Sequence, residues 1–190
     1  YLTGEVLTAI EAQKDRYGSS HVGEGKTVLF DYSSPNICKP FHIGHLGTTV
    51  IGHSLKLLHA FEGYNCVGIN HLGDWGTQFG KQIVAFRLWG DRETVEKGGI
   101  DELVKLYVRF HEEAEKDPSL NDRAREEFHK LEEGDPENIA LRNWFAKVSM
   151  KEYEATYGQL GITFDSYKGE SFYVDKVPEI VSMLRERGLL

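Results

Sequence analysis

Cysteine is scarce in these 190 residues: Cys38 and Cys66 are the only two. Two thiols cannot supply the bridges of a disulfide framework, so a reducing, cytoplasmic setting is expected. Long apolar runs are missing as well. No uninterrupted stretch approaches the ~18 residues a membrane helix needs, no signal peptide opens the chain, and no membrane partner is expected. Internal repeats and low-complexity segments are also absent. Basic charge is in deficit, with 22 Lys and Arg against 30 Asp and Glu, a net charge of −8. On bulk charge alone that excludes a nonspecific nucleic-acid binder, which needs a basic footprint. The deficit is uneven, however: residues 1–90 hold 7 basic and 7 acidic side chains, and residues 91–190 hold 15 and 23. The excess belongs to one half of the chain, so it says little about what the other half can bind.

What is present describes a globular chain. Hydrophobic residues make up 40% and charged ones 27%, enough to bury a core in one domain with a sizeable insertion. The chain opens at Tyr1 without a methionine and stops just after a helical pattern, and so reads as a piece of something longer. Residues 1–18 carry a weak helical pattern closed by Gly18, followed by a loop. Thr27–Tyr32 is short, apolar and β-branched, which predicts a buried strand. Ser33-Ser34-Pro35-Asn36 breaks it. A helix is expected over 44–61, with Leu46, Val50, Leu57 and Phe61 along one face. Ile51, Leu55 and Leu58 widen that stripe, so burial on most sides is expected. Asn65–Asn70 reads as a second strand. Strand, helix and strand of these lengths imply a parallel pair with a right-handed crossover. In such sheets ligands sit beyond the carboxyl ends of the strands, so the loops 33–41 and 71–79 should face one crevice.

The second half is helical in character. A helix is expected over 78–89. Residues 101–135 hold 12 acidic and 6 basic side chains around Leu103, Leu106, Tyr107, Phe110 and Ala114, the spacing of helices with one solvated face. Pro136 is well placed to start a helix that should then run from about 139 to 160. Ile162–Phe164 and Ser171–Val174 are strand candidates, and 178–187 should close the chain as a helix.

Five of the eight histidines fall between 42 and 71. The densest point is Lys39-Pro40-Phe41-His42-Ile43-Gly44-His45, where the first strand's loop meets the long helix. Unpaired N–H groups and the positive helix end favour an anion there. His42 and His45, three apart, share a helix face and can both donate to phosphate oxygens. Gly44 leaves room for a flat base against the backbone, and Lys39 adds a mobile cation. The same pattern would also serve as a plain helix cap. Cys38, His42 and His45 are moreover zinc-ligand types at close spacing, although no metal site is expected because Cys66 falls in a strand.

His42-Ile43-Gly44-His45 at a helix start after a strand resembles the signature of class I aminoacyl-tRNA synthetases. Asp31–Pro40 before it, Asn70–Gly80 after the second strand, and Phe164–Ser171 are similar to the arginyl branch of that family. The resemblance is strong over 26–82 and looser over 136–190. It departs at Gly47-Thr48-Thr49, where members often carry Arg-Ser-Thr, and at His53. Gly47 in the first helical turn costs about 1 kcal/mol of propensity relative to Ala. Nothing here matches the family's second, Lys-Met-Ser-Lys-Ser-like loop or its anticodon-binding helical domain.

The resemblance implies an α/β fold, a Rossmann-like parallel sheet with a helical insertion. Four segments follow from it. Residues 1–24 are a lead-in helix and loop, and 25–90 the first half of a nucleotide-binding domain. Residues 91–135 are an acidic helical insertion, and 136–190 a long helix, short strands and a terminal helix. It also implies ATP-dependent activation of L-arginine and transfer to tRNA(Arg), with ATP entering as its Mg2+ complex and no permanently bound cofactor. His42, His45 and Lys39 would contact phosphates and Gly44 would lie beneath the adenosine. Asp31, Ser34 and Asn36 would hold arginine, with Asp74 a further candidate; a guanidinium needs carboxylates and neutral acceptors. The enzyme is expected to be a monomer. Alternatives are a non-catalytic binding module derived from a synthetase, or another class I synthetase or adenylyltransferase.

Overall fold

A parallel pair of strands, β1 (Thr27–Asp31) and β2 (Asn65–Ile69), anchors one end of the molecule. The computed structural model describes residues 2–190, so the expected lead-in helix is observed from its second residue, as α1 (Leu2–Gln13). Between the strands runs α2 (Ile43–Phe61), the crossover that a parallel pair requires. In the ladder Thr27 stands beside Asn65 and Asp31 beside Ile69, which brings the carboxyl ends of both strands to one edge.

The helix lies close to the sheet because Gly52 has no side chain: a Cβ there would come within 2.4 Å of Tyr32 Cβ. The Lys56 ammonium reaches across to the Asp165 carboxylate at 2.7 Å, and the same carboxylate oxygen accepts the Gly68 amide. The apolar stripe of α2 behaves differently from expectation. Among its described residues only Thr49 is buried, while Ile51 is 64% exposed and Leu58 61%. β1 is likewise covered on one side only, with Leu29 65% exposed. Parallel sheets are normally covered on both faces. Here the periodicity marks a face that nothing within these residues covers.

The core sits instead among helices. These are α3 (Thr77–Trp89), α4 (Arg92–Gly98), α5 (Ile100–Lys116), α6 (Ser119–Glu132) and α7 (Pro136–Leu160). Phe79, Ile83, Leu103, Phe110, Leu131 and Phe145 are fully buried among them. The acidic stretch folds as its spacing predicts: Leu103, Leu106, Phe110 and Ala114 turn inward on α5, and Glu–Lys pairs three apart line the outer face. Pro136 stands in the first turn of α7, as expected, and the Asp135 side chain caps that helix by accepting the Asn138 amide.

The short strands expected in 136–190 are not formed. Ile162–Phe164 is non-repetitive, and just after it Ser166 makes a single bridge to Ile69 at the edge of β2. Ser171–Val174 lies within a 3₁₀ helix, Glu170–Lys176, followed directly by α8 (Val177–Glu186). The physical reason is local. The Glu170 carboxylate accepts the Trp75 amide while its own amide donates to Leu72, and Phe172 is flanked at 4.3 Å by both Lys168 and Lys176. Those contacts wind the segment and leave no edge for it to pair with.

Candidate active site

The loops after β1 and β2 meet, as the topology predicts. The Ile37 amide donates to Gly73 O at 3.0 Å and the Gly73 amide donates to Pro35 O at 3.1 Å. Three residues of the first loop lack glycine's freedom yet hold positive φ: Ser33 at 75°, Ser34 at 48° and Cys38 at 63°. Each such residue costs on the order of 1–3 kcal/mol. The loop keeps this shape because every strained residue is tied from outside. The Ser34 amide donates to Asn70 Oδ1 and the Cys38 amide to Ser149 Oγ, both at 3.0 Å. The Tyr153 hydroxyl lies 2.7 Å from Asn36 O and 2.5 Å from Lys39 O. Each bond contributes roughly 0.5–1.5 kcal/mol net, comparable with the strain. The loop shape therefore depends on α7 and the second loop staying docked.

Ser33 Oγ is at the centre of a buried hydroxyl row. It lies 2.7 Å from the Tyr157 hydroxyl and 2.8 Å from Thr49 Oγ1, which in turn lies 2.6 Å from the His45 carbonyl. Asn70 Nδ2 donates to Tyr157 at 3.0 Å. With one proton per hydroxyl, one direction gives every member a partner: Tyr157 donates to Ser33, Ser33 to Thr49, and Thr49 to the His45 carbonyl. Burial raises the Tyr157 pKa and keeps that donor protonated.

At the start of α2 the two histidines cap the helix reciprocally. His42 Nδ1 accepts the Gly44 amide at 3.1 Å, and the His42 amide donates to His45 Nδ1 at 3.3 Å. The rings stack 3.8 Å apart. Both Nδ1 atoms are thus acceptors, which puts the proton of each neutral ring on Nε2. A helix cap and anion binding are therefore compatible here: capping with Nδ1 leaves two Nε2–H donors at a positive helix end. Burial, then the neighbouring His42 and Lys39 charges, lowers the His45 pKa and favours this neutral form. Gly44 fits tightly beneath; a Cβ there would come 3.0 Å from the His42 ring.

The remaining expected residues separate into two groups. Asp31 and Ser34 are exposed at the end of β1, where Ser34 Oγ donates to Asp31 Oδ1 at 3.2 Å. Asn36 bridges to Gly73, and Lys39 is half-buried beyond it. Asp74 is different. Its carboxylate, 12% exposed, accepts the Ser171 amide at 2.8 Å, the Ser171 hydroxyl at 2.6 Å and Arg142 Nη2 at 3.2 Å. Those bonds make it a latch between the second loop, α7 and the 3₁₀ helix. Cys38 is buried and its thiol is pushed up to about 12, so it stays neutral beside Ser149. Among the described residues no three His, Cys, Asp or Glu side chains lie close enough to hold a metal ion.

Residue types alone do not single out Ser149, Tyr153, Tyr157 and Asn70. The available signal was the four-residue spacing of hydroxyl-bearing side chains on one long helix, which reads equally as core. Asn70, at the end of β2, is a further buried polar side chain at the sheet edge.

A parallel β-α-β unit that presents a histidine-capped helix start at the carboxyl edge of its strands has the architecture of the Rossmann-like α/β class. The sequence places it more narrowly. The family profile of tRNA synthetases class I (R), catalytic domain, matches residues 6–190, and the chain belongs to that family. It is 57% identical over 189 residues to the arginine–tRNA ligase of Clostridium botulinum (strain 657 / Type Ba4), covering all of this chain and 34% of that protein. It is 58% identical over 176 residues to the arginine–tRNA ligase of Clostridium beijerinckii, covering 93% of this chain and 31% of that one. The chain thus spans about a third of the length of these curated relatives. Among solved structures, arginyl-tRNA synthetase from Plasmodium falciparum matches 88% of the chain and 28% of its own, with a TM-score of 0.69 at 31% identity. Thermus thermophilus arginyl-tRNA synthetase shares the fold, with a TM-score of 0.72 at 23% identity over 97% of this chain and 30% of its own.

Proposed function

We propose that these residues form the signature-bearing part of an arginine–tRNA ligase. The observation that carries this is the reciprocal His42–His45 cap at the carboxyl edge of the parallel strands. In the first step the arginine carboxylate attacks the α-phosphorus of ATP, and the bond to the bridging oxygen breaks. Arginyl-adenylate and pyrophosphate result. In the second a terminal ribose hydroxyl of tRNA(Arg) attacks the arginyl carbonyl; AMP leaves and the hydroxyl proton is lost to solvent. ATP enters as its Mg2+ complex, the metal being part of the substrate.

Neither step needs a covalent enzyme intermediate. The protein's work is placement and charge stabilisation. His42 and His45 offer Nε2–H to phosphate oxygens, the α2 end adds its partial positive charge, Lys39 adds a full one, and Gly44 lies beneath adenosine. Asp31, Ser34 and Asn36 hold arginine, while Asp74 supports that pocket from behind through Arg142 and Ser171. The scarcity of cysteine supports a cytoplasmic enzyme, and monomeric action fits a site assembled within one chain.

The test is pyrophosphate exchange into ATP by the full-length ligase. His45→Ala removes one transition-state donor and should lower the exchange kcat by ~10²-fold or more. An unchanged rate contradicts the assignment.

A further inference from the structure

We propose that Tyr153 is a positioning residue for arginine activation, sealing the turn that carries Asn36 and Lys39. The inference rests on the proposed function above and names a residue outside every motif that suggested it. Ser149, Tyr153 and Tyr157 stand four apart on α7, all buried on the face that meets the loop after β1. In a purely packing role these positions would need no polar atom, yet each buried hydroxyl bonds that loop. Tyr153 does so at its most consequential point. Its single proton is shared between two carbonyls, Asn36 O at 2.7 Å and Lys39 O at 2.5 Å. Those carbonyls bound one turn, which the Lys39 amide closes onto Asn36 O at only 3.3 Å.

The turn's own hydrogen bond is long, and Cys38 within it holds positive φ. The outside clamp therefore decides how the chain leaves Asn36 and where Lys39 projects. The ring of Tyr153 also packs on Phe41, 6.4 Å between centroids, and Phe41 lies 5.5 Å from His45. One side chain of α7 thus touches both the turn and the Phe41 ring that lead into the histidine cap. Burial raises the Tyr153 pKa, so the clamp stays protonated across the working range.

Tyr153→Phe keeps the ring and deletes the clamp. In the full-length ligase it should lower the exchange kcat about tenfold and raise the arginine KM severalfold, measured well below the melting temperature. If Tyr153 acts through the turn, adding Lys39→Ala to Tyr153→Phe must cost less than the product of the two single effects. Parental kcat and KM in Tyr153→Phe, with only the melting temperature moved, would overturn the proposal, and so would full multiplicativity with Lys39→Ala. Should Tyr153→Phe not accumulate folded, Ser149→Ala frees the Cys38 amide of the same turn. It must show the same fall in kcat, and parental kinetics there refute the idea. His45→Ala run alongside separates the two levels. Exchange lost in His45→Ala but retained in Tyr153→Phe sinks only the positioning role, whereas exchange retained in His45→Ala sinks the reading beneath it.

Discussion

His42 and His45 hold the protonation logic of the site. Each uses Nδ1 as an acceptor, so the cap exists only while the rings are neutral on that side. Burial leads the lowering of the His45 pKa from 6.5, and it leads the same shift at His53 and His111. In the unfolded chain these rings take up a proton near 6.5; in the folded one they do so only at lower pH. Within that window the unfolded state binds more protons, so stability falls as pH falls. The melting temperature should decline as pH falls below about 6.5. His45→Ala, which removes one of the three rings, should make that decline shallower in a thermal-melt series. An identical slope in the variant would show that His45 does not contribute. The same residues were the most legible part of the site, because His-x-Gly-His at a predicted helix start can be tied to chemistry directly. Asp74 was less so: a carboxylate in a crevice loop looks available until Arg142 and Ser171 are seen to occupy it.

Elements were readable where a single period dominated. β1, α2, β2, α3, α7 and α8 lie within a few residues of their expected bounds because apolar spacing and turn residues agreed there. Ser171–Val174 misled because Phe, Tyr and Val favour strands locally, while the contacts that wind the segment come from Leu72 and Trp75, distant in sequence, and from the flanking Lys168 and Lys176. The α2 stripe misled in another way: spacing shows which face seeks cover, not whether the cover lies within these residues. One contact that sets the distance of α2 from the sheet is the close approach at Gly52. Gly52→Val would put methyl groups into Tyr32, and overpacking of that kind costs about 1–3 kcal/mol. Chemical denaturation should show that loss, together with a lower ATP affinity as the capped end of α2 shifts. A stability equal to the parent's would mean the helix–sheet spacing is not set there.

At the scale of the molecule the acidic excess falls in one half of the chain, and most of the exposed large apolar side chains fall in the other. The acidic excess lies on helices α4 to α7 and the segment after them, which form the closed core with α3. The neutral half carries the site and the bare faces of β1 and α2. Net charge of −8 therefore describes the helical part and leaves the proposed phosphate edge with its helix-end dipole and two ring N–H groups. The bare faces agree with a chain that spans about a third of its relatives' length, since the β-α-β unit needs further layers to cover it. In the proposed function this edge activates arginine. Amino-acid-dependent exchange of labelled pyrophosphate into ATP by the full-length ligase tests it most directly. Exchange should appear with arginine alone among the twenty amino acids, and Asp31→Ala should raise the arginine KM while leaving that for ATP near its parental value. Exchange driven by a different amino acid, or an Asp31→Ala variant with parental arginine KM, would contradict the account.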